Sequence, residues 1–128
     1  MAQILLIEPD RILARTYAEA LRSVGHLVRI SSTAQTAIHA ADELIPDVVI
    51  LELQLVAHSG VEFLYEFRSY VDWQAIPVVI LSSVPPVEFS KSTLVLKQQL
   101  DVHSYHYKPQ TSIMNLQRIV GNITSPTV

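Results

Sequence analysis

The sequence has no cysteine, which excludes a disulfide scaffold, thiol chemistry and cysteine-ligated metal. It has only three glycines. None lies in the connection after the first apolar run, so the glycine-rich backbone cradle that usually holds a nucleotide or flavin phosphate is missing. Charged residues are sparse at 16%, with a formal net charge of -3, so the electrostatic footprint of direct nucleic-acid binding is absent. No apolar run approaches the roughly 18 residues of a membrane span, and no signal-peptide pattern opens the chain. A cytoplasmic protein that neither enters a membrane nor binds nucleic acid directly is expected. What is present is ample core material: 128 residues, 49% hydrophobic, with a mean hydropathy of +0.30. That suffices for one domain without disulfides or a structural metal, expected over residues 1–123 with a flexible tail at 124–128.

The central stretch is Pro46 to Leu53, in which an unbroken apolar run, Val48 to Leu51, ends in the carboxylate of Glu52. A continuous run implies a strand covered on both faces, as in a parallel sheet flanked by helices. Gln3 to Ile7 is a similar run, stopped by Glu8, Pro9 and Asp10, and Val78 to Ser82 is another. Leu27 to Ser31 partly alternates, as an edge strand does, and His103 to Tyr107 reads as a short last strand. Between these runs, Leu13, Tyr17, Leu21 and Val24 predict a helix over Arg11–Val24, stopped by Gly25. Ala34, Ala37, Ile38, Ala41 and Leu44 predict a second, with Ser32 and Gln35 as a capping box. Val61, Leu64, Tyr65 and Arg68 share one face of a third, which ends before Pro77. A fourth is expected from Phe89 to Leu100, and a fifth carries Ile113, Leu116, Ile119 and Val120, capped by Thr111 or Ser112. Five strand-helix pairs with right-handed crossovers give an α/β fold, a flavodoxin-like five-stranded parallel sheet in the order 2-1-3-4-5. Its carboxyl edge would gather Glu8, Asp10, Glu52, Ser82 and Lys108.

These motifs, taken in order, resemble the CheY-like receiver domain of response regulators, the phosphoacceptor module of two-component signalling. The resemblance spans nearly all of residues 3–121. It rests on the acidic turn Glu8-Pro9-Asp10, the strand ending at Glu52, Gly60 eight residues later, the hydroxyl of Ser82, and Tyr105 with Lys108-Pro109. It implies that Glu52 stands at the phosphoacceptor position, Glu8, Pro9 and Asp10 form the acidic pocket, Ser82 and Tyr105 are the switch residues, and Lys108 is the family's lysine. The chain also departs from the family pattern. Glutamate replaces the acceptor aspartate, Pro9 replaces the acid that binds magnesium directly, Asp101 replaces a glycine before the last strand, and Gln110 replaces a phenylalanine.

Glutamate moves the carboxylate outward by about 1.5 Å, and misplacement of roughly 1 Å can cost about a hundredfold in rate. A degenerate, phosphorylation-independent receiver is therefore expected, with no enzymatic activity, no cofactor and no Mg2+ held in the family's manner, that acts through protein contacts. Two readings of Glu52 stay open: imitation of the phosphorylated state, or a structural acid paired with Lys108. The alternatives for the whole chain are a receiver that is still phosphorylated and a purely structural dimerisation module. The resemblance implies a histidine kinase, an output protein or a second copy as partner, with a homodimer face formed by the fourth helix, fifth strand and fifth helix. His103 and His106 are three apart, and in a strand they point to opposite faces, which argues against metal binding by them. His26, His39 and His58 are expected at the surface.

Overall fold

A computed structural model describes residues 1–85, 87 and 95–125. Strands β1 (Gln3–Ile7), β2 (Leu27–Ser31), β3 (Val48–Leu51), β4 (Val78–Ser82) and β5 (Val102–Tyr107) form one sheet. All its pairings are parallel and its order is β2-β1-β3-β4-β5, as the sequence predicts. Helices α1 (Arg11–Ser23), α2 (Ala34–Glu43), α3 (Gly60–Ser69) and α4 (Ile113–Thr124) cover it. The first half of the helix expected from Phe89 to Leu100, residues 89–94, lies outside the described residues; the part inside is a single wide turn at Val95–Gln99. Thr124, assigned to the tail by the sequence reading, closes α4 instead.

The continuous apolar runs work as expected, because alternate side chains enter two separate cores. Leu5, Ile7, Val49, Leu51 and Ile80 meet α2 and α3 on one side. Ile4, Leu6, Ile50 and Leu81 meet α1 and α4 on the other. The helix faces differ from the periodicity in detail. In α1 the buried residues are Ala14, Tyr17, Ala18 and Leu21, while Val24 is exposed at the cap. In α3 they are Phe63, Leu64 and Phe67, while Tyr65 is exposed. Two stacked phenylalanines, 5.2 Å between ring centroids, bury more apolar area than Val61 and Tyr65 would, and they set the rotation of the helix. The capping box of α2 is Thr33 with Thr36, one residue later than predicted. Ser112 caps α4.

At the amino end of β4 and β5, Arg68 reaches off α3 and donates to four carbonyls. These are Leu100 at 2.8 Å, Trp73 at 2.8 Å, Asp101 at 3.0 Å and Gln74 at 3.2 Å. Arg68, which shares a predicted helical face with Leu64, thereby joins two loops. Asp101 sits there with φ +50°, the left-handed region that glycine adopts freely and aspartate tolerates. Asp101 thus holds a backbone conformation suited to glycine, the residue that the family resemblance implies at this position. His26, expected at the surface, is buried, and its Nδ1 accepts the Ala2 N–H at 3.2 Å.

Candidate functional site

The carboxyl ends of β1, β3, β4 and β5 supply the site. Glu52 continues the ladder of β3 by one residue, its N–H donating to Ile7 at 3.0 Å, and this places its side chain at the sheet's tip. Gly60 makes room behind it: a Cβ there would lie 2.7 Å from Leu53 Cα and 2.8 Å from the Glu52 carbonyl. That close approach to backbone is the physical reason for glycine eight residues after the acid.

Glu52 is 97% buried, with 3% of its surface accessible, and both its oxygens are crowded with donors. Oε1 accepts from Lys108 Nζ at 2.7 Å, Ser83 N–H at 3.1 Å and Ser83 Oγ at 3.2 Å. Oε2 accepts from Leu53 N–H at 2.6 Å, from Gln54 N–H at 3.2 Å and from the Ser82 hydroxyl. A carboxylate has about four lone-pair sites, so its acceptor capacity is fully used. Burial pushes the Glu52 carboxyl up, but the hydrogen bonds from Lys108, Ser82 and Ser83, with the ammonium charge, outweigh it and hold the group below its ordinary value.

Lys108 Nζ also meets Glu8 Oε1 at 2.5 Å, so one ammonium bridges two carboxylates. Burial alone would lower the lysine; the bonds to Glu52 and Glu8 raise it overall. The other Glu8 oxygen accepts the Asp10 N–H at 3.0 Å. Pro9 follows Glu8 with no donor atom to offer. Asp10, expected in the acidic pocket, is exposed and caps α1, accepting from Ile12 N–H at 2.9 Å and Leu13 N–H at 3.0 Å. An aspartate directly before a periodic helix is a standard N-cap, so the sequence held that signal. Ser83 and Tyr17 were missed as site residues. Tyr17, buried on α1, lies within electrostatic reach of Lys108, Glu8 and Glu52, and its hydroxyl is raised, first by burial.

A hydrogen-bonded path leads from the carboxylate to the sheet edge. Ser82 Oγ donates to Glu52 and accepts the Val84 N–H at 3.1 Å. The Val84 carbonyl accepts the Tyr105 hydroxyl at 2.6 Å, with Tyr105 half-buried against the α2/α3 core. The expected set Glu8, Glu52, Ser82, Tyr105 and Lys108 is therefore joined in one network; Asp10 touches it only through its main-chain N–H to Glu8, its side chain being used to cap α1, and Pro9 contributes no side-chain donor or acceptor.

No family model matches the chain. Among curated proteins it is similar to the KDP operon transcriptional regulatory protein KdpE of Escherichia coli, 32% identical over 83 residues, covering 65% of this chain and 36% of that protein. It is also similar to the transcriptional regulatory protein KdpE of Mycobacterium tuberculosis, 36% identical over 83 residues, covering 65% and 35%. The chain thus spans little more than a third of the length of the curated relatives it matches. Of solved structures, the chemotaxis protein CheY4 of Vibrio cholerae superposes with a TM-score of 0.84 at 17% identity, over 96% of this chain and 98% of that one. A putative response regulator from Chloroflexus aurantiacus gives 0.82 at 19% identity, over 98% of both chains.

Proposed function

We infer that this chain, a response-regulator receiver domain with the CheY-like fold, serves two-component signalling in the cytoplasm without being phosphorylated and without enzymatic activity of its own. The observation that carries this reading is the saturated carboxylate. Six donors converge on the two oxygens of Glu52, leaving no lone pair for attack on a phosphodonor. The donors that would hold a phosphoryl group are already engaged by a resident charge. The mimicry is partial, since a phosphoryl group brings about -1.5 to -2 charge and three acceptor oxygens. The path through Ser82 and Val84 to Tyr105 gives that charge a mechanical outlet at the β5 edge.

The residues present do not fit the magnesium ion that the family resemblance implies. Magnesium needs near-octahedral oxygen coordination. Here Pro9 offers no side-chain oxygen, Asp10 caps α1, and Glu8 and Glu52 already share the Lys108 ammonium. The cation of this pocket is the lysine. Regulation would then come from contacts with a histidine kinase, an output protein or a second copy, across β5 and α4.

The test is incubation with a small-molecule phosphodonor and Mg2+, read by intact mass. The expected result is an unmodified chain. A phosphoryl adduct on the wild type that disappears in Glu52→Gln would overturn the proposal. For the partner face, light scattering over a concentration series separates self-association, expected to weaken in Tyr107→Ala, from a chain that stays monomeric and needs a different partner.

A further inference from the structure

We propose that His103 and His106, on either side of Ser104, form a site for a divalent transition-metal ion of the Zn2+ class, apart from the Glu52 pocket. Regular alternation would send residues three apart to opposite faces of a strand. The β4-β5 pairing breaks that rule: Val78 faces Val102, but the next residue, Val79, faces Ser104. His103 is therefore the extra residue of a β-bulge, a feature that re-aims a side chain. The consequence is direct. His103 Nδ1 lies 3.3 Å and His106 Nε2 2.9 Å from the same hydroxyl, Ser104 Oγ.

Two imidazole nitrogens converging on one point are what a borderline metal ion uses, at about 2.0–2.1 Å from each nitrogen, with water or a hydroxyl completing the shell. Of the two, His106 lines a groove of about 260 Å³ beside α4, together with Gln110, Thr111, Asn115, Arg118 and Ile119. No carboxylate lines that groove, so the hard ions Mg2+ and Ca2+, which require oxygen ligands, are disfavoured. The one cation there, Arg118, is exposed and can extend into solvent. His103 is also exposed, which gives an ion an entry path. Because β5 and α4 carry the proposed partner face, an ion bound here would alter that face without touching Glu52.

The experiment is a calorimetric titration of the tag-free chain with ZnCl2 near neutral pH, with the histidine ring signals followed by NMR, and with MgCl2 as a second titrant. One equivalent of zinc should bind, shifting the rings of His103 and His106, while Mg2+ shifts neither. His103→Ala and His106→Ala should each weaken binding by about tenfold or more, with unchanged melting temperatures showing that the fold is intact. The strongest competitor is His58 with Glu62, an i,i+4 pair 2.9 Å apart. Zinc binding that persists in both β5 variants but is lost in His58→Ala would overturn the proposal. So would the absence of saturable binding up to millimolar zinc.

Discussion

Two half-buried cations sit at opposite ends of the same sheet, and they are held by different kinds of acceptor. Lys108, at the carboxyl end, bonds two buried carboxylates, Glu8 and Glu52. Arg68, at the amino end, bonds four main-chain carbonyls. The carbonyls carry no titratable charge, so the four hydrogen bonds of the Arg68 clamp have no acceptor that a proton can neutralise. Lys108 and its acids form a cluster in which every member depends on the charge of the others, and which a proton or a substitution can change. Fixed scaffold and alterable site are thus separated by acceptor chemistry, along the axis of the strands.

Removing the lysine should have the largest effect. Lys108→Met leaves two buried carboxylates without their cation, and an unpaired buried charge costs about 3–5 kcal/mol. Urea denaturation should show that loss, and adding Glu52→Gln should restore part of it. Simple additivity of the two changes would refute the pairing. Arg68→Met should cost less, about 2 kcal/mol, since two of its four bonds, to Gln74 and Asp101, are exposed and water can replace them. Its cost should be the same at pH 5 and pH 8. A cost that varied between those two values would erase the contrast between the ends.

A pH series sharpens the same comparison. Glu52 is held below its ordinary value of 4.5 in the folded chain, so its contribution is complete above that pH and is lost as the pH falls through the folded value. Lys108 is raised above 10.5, so its contribution is complete below that pH and lost as the pH rises through the folded value. Glu52→Gln should flatten the acid limb below 4.5. His26 adds a separate limb. Burial, then the positive amino terminus, lowers it from 6.5, so stability should begin to fall as acid passes that value, in wild type and Glu52→Gln alike. Thermal melts across the pH range would resolve the two. The smallest effect is expected at Asp101, where relief of the left-handed backbone in Asp101→Gly should raise stability by less than about 1 kcal/mol. A fall in melting temperature would mean that the aspartate's charge near Arg68 outweighs its strain.

The candidate site was legible in part, and the reason differs by residue. Glu52 was visible because a carboxylate at the end of an apolar strand has few structural explanations, and Lys108 followed as the nearby cation. Ser83 was passed over because its contribution is half main-chain, and an N–H donor leaves no mark in a sequence. Asp10 was placed in the pocket by its neighbours although its position before α1 fits a cap. The helix faces were legible in part: Tyr17, Leu21 and Leu64 are buried as the spacing predicts, whereas Val24 and Tyr65 are exposed, because periodicity weighs residues equally while burial favours the large rings of Phe63 and Phe67.

The sequence by itself determined the doubly covered parallel sheet, its strand order and the acid at its centre. Apolar runs of strand length, separated by amphipathic helices, have few other ways to bury their surface. Only the tertiary structure decided how Glu52 is used, because saturation of its oxygens depends on donors from β4 and β5 that are 30 to 56 residues away. Only the structure placed His103 beside His106. That outcome turns on one extra residue in the β4-β5 register, and register is set by the packing of two strands against shared helices, which neither strand's own sequence specifies.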